Sequence, residues 1–171
     1  MSIEVHHDFV DNLTGVYAKD FFFEASNYIL QLSIRHKIPF SLCIMDVDDL
    51  QIINTTYSHG IGNQILESIA QIIIHNCRKS DIITYLGEGK IGILLNNISG
   101  VDTQIFLNDL RQKIENHEHV FIERKINVTV SMGVYMVHNY INTNTFNAIY
   151  LKALESLDLA IEKGKNRIEV Y

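Results

Sequence analysis

The sequence predicts an α/β fold, a single sandwich domain in which helices flank a central sheet that is mixed and mainly antiparallel. Three observations lead to this prediction. Segments whose apolar residues recur at helical spacing alternate with short apolar runs of strand length. Two of those runs face each other across a glycine-containing turn, as in an antiparallel hairpin. The chain has 171 residues, 47% of them hydrophobic, and no repeat or low-complexity linker, so it fits one domain.

The first half of the chain predicts a helix, a buried strand and a second helix. Apolar residues recur at helical spacing over residues 20–37, and Pro39 follows at once. The nearly continuous apolar run over residues 40–47 suits a strand that is buried on both faces. Residues 64–77 have the apolar pattern of an amphipathic helix.

The second half predicts a hairpin, two helices and two further strands. The hairpin covers residues 85–95 around a turn at residues 87–90, and a helix over residues 101–117 follows it. Residues 125–137 are rich in β-formers and predict a strand. The last helix covers residues 146–164 and stops at Gly164, before a short closing strand at residues 167–171.

The composition narrows the classes of function. A net charge of −6 without a basic stripe argues against a nucleic-acid partner, which binds through neutralised phosphates. Cys43 and Cys77 have no disulfide or metal-site spacing, which is typical of a reducing compartment. No signal peptide is visible, and no apolar run approaches the roughly 18 residues of a membrane span. We therefore expect a cytoplasmic domain, with room for a membrane anchor elsewhere in a longer parent protein.

Three carboxylates mark the end of the predicted strand over residues 40–47. Asp46 and Asp48 bracket one residue, and Asp49 comes directly after them. Such an arrangement can offer oxygen ligands to Mg²⁺, which prefers carboxylates together with substrate phosphates. Alternatively, these acids cap the following helix, and the spacing alone slightly favours that interpretation.

Two further segments have the residue types of a ligand site. In residues 59–63, two glycines precede a predicted helix, where free N–H groups suit a phosphate, although such turns are common. In residues 78–81, Arg78 and Asp81 either form a local ion pair or act together on a ligand. Taken alone, the ion pair is the favoured interpretation.

Together, several segments resemble the GGDEF domain, the diguanylate cyclase family. The resemblance implies a cyclase- and polymerase-palm-like fold, with a tail or linker at residues 1–10 and a degenerate GGDEF domain at residues 11–171. In active members, two GTP-loaded domains meet and make cyclic di-GMP by two-metal phosphoryl transfer. The matching segments are "DNLTGVYAKDFF" (11–22), "MDVDDLQIINTTYSHGIGN" (45–63), "RKSD" (78–81), "YLGEGKIGILL" (85–95), "VTVSMGV" (128–134) and "EKGKNRI" (162–168).

The hairpin turn occupies the place of the family's signature Gly-Gly-Asp/Glu-Glu-Phe. Gly87 keeps the first glycine and Glu88 replaces the second. Gly89 replaces the metal-binding acid, Lys90 replaces the next glutamate, and Ile91 replaces the phenylalanine. We call these five residues the signature turn. Since the chemistry needs metal ions to neutralise phosphate charge, the loss of these acids implies an inactive or strongly impaired enzyme.

The remaining metal ligands implied by the resemblance are incomplete. Asp46 matches the strand-end metal aspartate and the main chain of Val47 its companion ligand, with Asp48 as a weak third. Mg²⁺ binding is therefore expected to be weakened. We also expect Lys90 to pair with Asp46 and to put a fixed cation where the family binds a metal.

Only some of the nucleotide contacts implied by the resemblance are retained. Asn54 matches the guanine-contacting asparagine, but Asn63 replaces an aspartate that accepts hydrogen bonds from guanine. Lys165 replaces an arginine, while Gln51 and Ile161 stand where the family has lysines. At about 1 to 3 kcal/mol per lost charged contact, GTP binding is expected to be weak or absent.

Arg78 and Asp81 match the family's inhibitory site for cyclic di-GMP. Arginine can pair with the O6/N7 edge of guanine while aspartate accepts from N1 and N2, so both the ligand and the ion pair stay open. Arg111 is the candidate for a further arginine of this site.

We therefore expect a regulatory, cyclic di-GMP-binding signalling module. An alternative is an active cyclase in which Glu88 shifts by one residue to supply the missing acid, at the cost of the strand register. A further alternative is a protein-interaction domain that binds no nucleotide. The resemblance also allows a homodimer, and an EAL phosphodiesterase or sensor domain in a longer parent chain.

Overall fold

The computed structural model describes residues 9–121, 124–137 and 145–171. Helix α1 (Lys19–His36) ends at Lys37, which adopts the left-handed conformation with φ 55° just before Pro39. Strand β1 (Phe40–Val47) follows, and its side chains are buried apart from the half-buried Asp46. The predictions for this helix and for a strand buried on both faces are confirmed.

The N-terminal tail expected at residues 1–10 falls mainly outside the described residues. Phe9 and Val10 nevertheless contact the domain. The Phe9 carbonyl accepts a hydrogen bond from Ala18 N–H at 2.9 Å, and Val10 forms a β-bridge with Tyr17. The boundary at residue 10 stays a prediction.

Two helices follow β1, of which only the second has bounds predicted from its apolar pattern. Helix α2 (Leu50–Thr56) is short, and α3 (His59–Asn76) begins at His59 rather than at residue 64. Ser58 starts α3 because its side chain accepts a hydrogen bond from the backbone of the first turn. Gly60 and Gly62 therefore lie inside the helix, and the prediction of a glycine turn ahead of it is wrong.

The hairpin and the helix after it are confirmed. Strands β2 (Ile82–Gly87) and β3 (Lys90–Asn96) pair antiparallel, and helix α4 (Val101–Glu115) follows. Gly100 precedes α4 with φ 62°, a conformation that glycine adopts without a steric penalty.

The strand predicted over residues 125–137 is divided in two. Strand β5 (Arg124–Ile126) pairs with β4 (His119–Phe121) in a separate small sheet, while β6 (Val130–Val137) pairs with β1 in the main sheet. Residues 127–129 between them belong to no strand. The chain changes sheets here, so a continuous β-rich sequence does not form a continuous strand.

Helix α5 (Phe146–Glu162) and strand β7 (Ile168–Val170) complete the domain, as predicted. The Thr145 hydroxyl caps α5. Between the two elements, Lys165 and Asn166 have φ 62° and 47°, so the chain makes a left-handed turn that returns it to the sheet. None of the described helices is long and apolar enough to cross a membrane.

The main sheet of the described residues has the strand order β2-β3-β1-β6-β7. The β6–β7 pair is parallel, while β2–β3, β3–β1 and β1–β6 are antiparallel, which confirms a mixed, mainly antiparallel sheet. Side chains of β1 alternate between two cores. Cys43 and Met45 pack with α3 and α4, whereas Leu42 and Ile44 pack with α1 and α5. The sheet therefore lies between two helical layers.

His119 is a buried polar residue of the small sheet. It is 3% exposed, and its Nε2 has no hydrogen-bond partner among the described residues. Its ring lies 4.8 Å from that of His117, measured between centroids. Burial, with a smaller contribution from His117, lowers the pKa of His119 to about 4. The folded protein therefore keeps this imidazole neutral near pH 7.

We expect the stability of the domain to fall on acidification through His119. The folded pKa of about 4 lies below the ordinary 6.5, so the unfolded chain binds more protons between these values. This contribution is present above about pH 6.5 and is lost as the pH falls through 4. The free energy of unfolding, from urea titrations, should decrease by about 2 kcal/mol between pH 7 and pH 5 from this group alone.

The substitution His119→Phe isolates this effect, because it removes the titrating ring and fills its volume. The variant should lose less stability than the wild type over the same pH interval, whereas His117→Gln should retain most of the dependence. Equal pH slopes for the wild type and His119→Phe would contradict the prediction.

Candidate functional site

The signature turn closes the β2–β3 hairpin. Gly87 pairs with Lys90, so Glu88 and Gly89 form a two-residue loop. Both loop residues have positive φ, 53° and 81°, as a type I′ hairpin turn requires. Ile91 is fully buried beside the turn. A one-residue slip would move the Ile91 side chain out of the core and put Lys90 or Gly92 in its place, which explains why the register is fixed.

Lys90 and Asp46 face each other across neighbouring strands. They are paired in the β1–β3 register, and Lys90 Nζ lies 3.9 Å from Asp46 Oδ2. Burial raises the pKa of the Asp46 carboxyl; the Lys90 ammonium opposes this rise, and Asp48 adds to it. The distance fits an ion pair and exceeds that of a direct hydrogen bond. We call the place where Asp46, Gly89 and Lys90 meet the corner of the site; it holds one carboxylate with a cation beside it.

Gly89 occupies the position that the resemblance gives to a metal-binding acid. A β-carbon at this position would lie 3.5 Å from Asp46 Oδ1 and 2.8 Å from Leu50 Cδ2. A side chain here would thus point towards Asp46 after a shift of the Leu50 methyl group. Gly89 contributes its backbone instead, since its carbonyl accepts a hydrogen bond from Val47 N–H at 3.2 Å.

Asp48 points away from this corner. It is 7% exposed, and its Oδ1 accepts a hydrogen bond from the Ser131 hydroxyl at 2.7 Å. Its Oδ2 accepts from the Thr129 hydroxyl at 2.6 Å and from the Asn166 N–H at 3.1 Å. This geometry does not support Asp48 as a weak metal ligand. The carboxylate instead joins the end of β1 to β6 and to the turn before β7.

Asp49 and Lys165 form an ion pair at the rim of the site. Asp49 is the N-cap residue of α2 but makes no side-chain hydrogen bond to the helix. Its Oδ1 accepts from Lys165 Nζ at 2.6 Å, and this bond raises the pKa of Lys165. The alternative that the carboxylates cap the helix is therefore wrong. A nucleotide contact of Lys165 stays a prediction.

A cleft of about 750 Å³ opens beside the signature turn. Its volume lies within the range of small-molecule sites. Gln51 and His59 line it with exposed polar side chains. The cleft brings together most of the predicted metal and nucleotide residues, namely Asp46, Val47, Asn54 and Asn63, with Glu88, Gly89 and Lys90 of the signature turn.

Asn54 packs against the first turns of α3. Its Oδ1 is buried and has no hydrogen-bond partner within the described part of the chain. A β-carbon at Gly62 would overlap this oxygen, so glycine at that position makes room for the amide. Asn63 is exposed at the same cleft. The cleft thus presents two amide side chains, from α2 and from α3.

Arg78 and Asp81 lie in the turn between α3 and β2. The Asp81 carboxylate accepts hydrogen bonds from the backbone N–H groups of Arg78 at 2.8 Å and Asn96 at 3.0 Å. The Arg78 guanidinium has no hydrogen bond or ion pair with any described residue. The predicted ion pair between the two side chains is therefore wrong. Asp81 fixes the turn, and the guanidinium remains available.

Arg78 lines two neighbouring cavities. The smaller, of about 140 Å³, also includes Asp81, and the larger, of about 640 Å³, lies against α4. Arg111 is not brought to this place. Its Nη1 donates to Glu115 at 2.8 Å and to Asn166 at 2.6 Å, and it lines a separate cavity on the β7 side of α4. The two arginines do not share a cavity.

Sequence reasoning missed the residues that support the site. Thr129 and Ser131 hold Asp48, and the signal was their alternation, which puts both hydroxyls on one face of an otherwise apolar run. Tyr85 was also missed. Its hydroxyl accepts a hydrogen bond from Gly89 N–H at 3.3 Å and lines the cleft.

The chain is similar to proteins of known family. The family model described as "Diguanylate cyclase, GGDEF domain" matches residues 8–167. The "Probable diguanylate cyclase DgcT" of Escherichia coli K12 is 27% identical over 165 residues, a match that covers 94% of this chain and 35% of that protein. The chain thus spans about a third of the length of this relative.

Solved structures show the same fold. Diguanylate cyclase SiaD of Pseudomonas aeruginosa, in complex with its activator SiaC, has a TM-score of 0.90 at 23% identity, covering 95% of this chain and 62% of that one. The GGDEF domain of DgcB from Caulobacter crescentus, in complex with c-di-GMP, has a TM-score of 0.89 at 16% identity, covering 95% of each chain.

Proposed function

The chain belongs to the GGDEF family of diguanylate cyclases, and we propose that it is a catalytically silent member that binds cyclic di-GMP in the cytoplasm as a regulatory module. The domain takes part in cyclic di-GMP signalling through its family. One observation carries the proposal of silence, the Lys90 ammonium 3.9 Å from Asp46 at the corner that would hold a metal.

The residues at this corner do not fit a divalent cation. Mg²⁺ needs several hard oxygen ligands, and its charge is opposed by a nearby ammonium. Asp46 remains, but Gly89 has no side chain and three protein donors occupy Asp48. Among the described residues, no group of three or more acidic, histidine or cysteine side chains could hold a metal ion. We therefore derive no metal-dependent step for this domain.

The Arg78 turn supports cyclic di-GMP as the ligand. Its guanidinium is unpaired within the described residues and lines two cavities, the smaller of them next to Asp81. An arginine in this setting can donate two parallel hydrogen bonds to the O6/N7 edge of guanine. The Asp81 carboxylate already accepts hydrogen bonds from two backbone N–H groups. Its remaining lone pairs can still accept from the ligand, but this contribution to binding is secondary to that of Arg78.

Calorimetry with cyclic di-GMP and with GTP–Mg²⁺, alongside a turnover assay, tests the proposal. Cyclic di-GMP should bind, Arg78→Ala should weaken it at least tenfold, and GTP should yield no product. Arg35→Ala, at an exposed position near the end of α1, is the matched control and should bind like the wild type.

The other outcomes are equally informative. Synthesis of cyclic di-GMP would overturn silence and favour an enzyme that uses Glu88. Absence of binding to either nucleotide would overturn the receptor and leave a domain that acts through protein contacts.

A further inference from the structure

We propose that the groove between α4 and β7 is a docking site for an extended peptide segment of a partner protein that carries both acidic and apolar side chains. The groove has a volume of about 480 Å³. We call it the α4–β7 groove. Its walls include Val101, Ile105 and Arg111 from α4, Arg167 from the preceding turn, and Ile168 and Val170 from β7.

The first support comes from the open edge of the sheet. The Arg167 carbonyl accepts a hydrogen bond from the Met132 N–H of β6, and the Tyr171 N–H donates one to the Val134 carbonyl of β6, both at 2.9 Å. Because backbone groups alternate between the two sides of a strand, the N–H and C=O groups of Ile168 and Val170 point outwards. No strand of the described residues pairs with them, since β7 ends the sheet. An added strand would find two donors and two acceptors here.

The second support is the apolar lining. Val101 and Ile105 are 69% and 63% exposed and lie one helical turn apart on the same side of α4. Val170 on the opposite wall is 39% exposed. A strand added at β7 would bring every second side chain towards α4, where these apolar residues would be covered.

The third support is the positive charge of the groove lining, which favours an acidic peptide as the occupant. The groove is lined by Arg111 and Arg167 and by no acidic residue, in a chain with a net charge of −6. Arg111 already donates to Glu115 and Asn166, whereas the Arg167 side chain donates within the described residues only through Nε to the Lys165 carbonyl. The terminal nitrogens of Arg167 are therefore available to a carboxylate.

The same charges disfavour a second copy of this chain as the occupant. Pairing of two β7 strands about a two-fold axis would bring two identical arginine-bearing edges together, and like charges would oppose each other. The groove is also separate from the cleft of the signature turn and from Arg78, because it shares only Ile105 with the larger cavity of Arg78 among their lining residues.

The test uses a fluorescent, acetylated peptide of alternating glutamate and valine, with binding followed by anisotropy on the full chain. We expect saturable binding with Kd of about 10 to 100 μM. Arg167→Glu should weaken it at least tenfold, and so should Val170→Pro, which removes an outward N–H. Arg124→Glu, the same charge change in the small sheet, is the control and should leave affinity within twofold. Circular dichroism verifies folding of each variant.

Two altered peptides separate the components. A version with lysine in place of glutamate should not bind, and one that is N-methylated at every residue should lose at least tenfold because it has no backbone N–H to donate to β7. Binding that is insensitive to Arg167→Glu and Val170→Pro would overturn the proposal, as would absence of binding at millimolar peptide. A dimer in sedimentation that dissociates in Val170→Pro would also overturn it, in favour of self-association.

Discussion

Exchanging Gly89 for aspartate together with Lys90 for glutamate is expected to strengthen Mg²⁺ binding by the domain. Both side chains would be carboxylates close to Asp46, since a β-carbon at position 89 lies 3.5 Å from Asp46 Oδ1 and position 90 is paired with Asp46 across the strands. The exchange also removes the ammonium that now stands 3.9 Å from that carboxylate. Mg²⁺ affinity, measured by calorimetry, should rise at least tenfold, to millimolar or tighter.

The single variants show which change matters. Lys90→Gln removes the cation without adding a ligand, so it should gain little affinity, and Gly89→Asp alone keeps the opposing ammonium. Aspartate tolerates the positive φ of 81° at position 89 better than most residues. A thermal melt confirms that each variant folds. Unchanged Mg²⁺ affinity in the double variant would count against both the alignment of the signature turn and the proposed loss of the metal site.

Replacement of Gly133 by alanine is expected to be the most damaging small substitution in the core. Gly133 lies in the middle of β6, where α5 crosses it, and its β-carbon would overlap the Ala153 carbonyl oxygen and the Leu157 backbone nitrogen. These atoms belong to the helix backbone and cannot rotate away. The strand and the helix must separate, and we expect the free energy of unfolding to fall by about 3 kcal/mol. Denaturant titration measures the loss.

Gly60→Ala is the matched control. Its β-carbon would meet only Ser58 Oγ, at 3.6 Å, which is an ordinary contact, and the residue lies within α3. Alanine there should be neutral or stabilising by up to about 1 kcal/mol, since glycine is a poor helix former. Similar stabilities for Gly133→Ala and Gly60→Ala would contradict the close packing of α5 on β6.

Much of the fold could be predicted from the sequence because local patterns carry it. The nearly continuous apolar run that becomes β1 suits a strand covered on both faces, and the glycines between two apolar runs predict the hairpin. The start of α3 was predicted too late. A serine cap and two helical glycines look like a loop in sequence, and only the tertiary contact of Gly62 with Asn54 shows why glycine stands inside the helix.

The sequence alone also predicts a degenerate signature turn, since Gly89 and Lys90 stand where the resemblance implies acids. Tertiary structure decided what the remaining acids do. Asp46, Asp48 and Asp49 are equivalent carboxylates in the sequence, yet one faces Lys90, one accepts bonds from Thr129, Ser131 and Asn166, and one pairs with Lys165.

Only the tertiary structure shows that the Arg78 guanidinium is available to a ligand. Sequence spacing favoured a pair with Asp81, but the backbone turn gave that carboxylate two N–H donors and left the guanidinium facing two cavities. The physical reason is common to both sites. A residue type fixes which bonds a side chain can make, whereas the partners it meets come from strands and turns that are distant in sequence and adjacent only after folding.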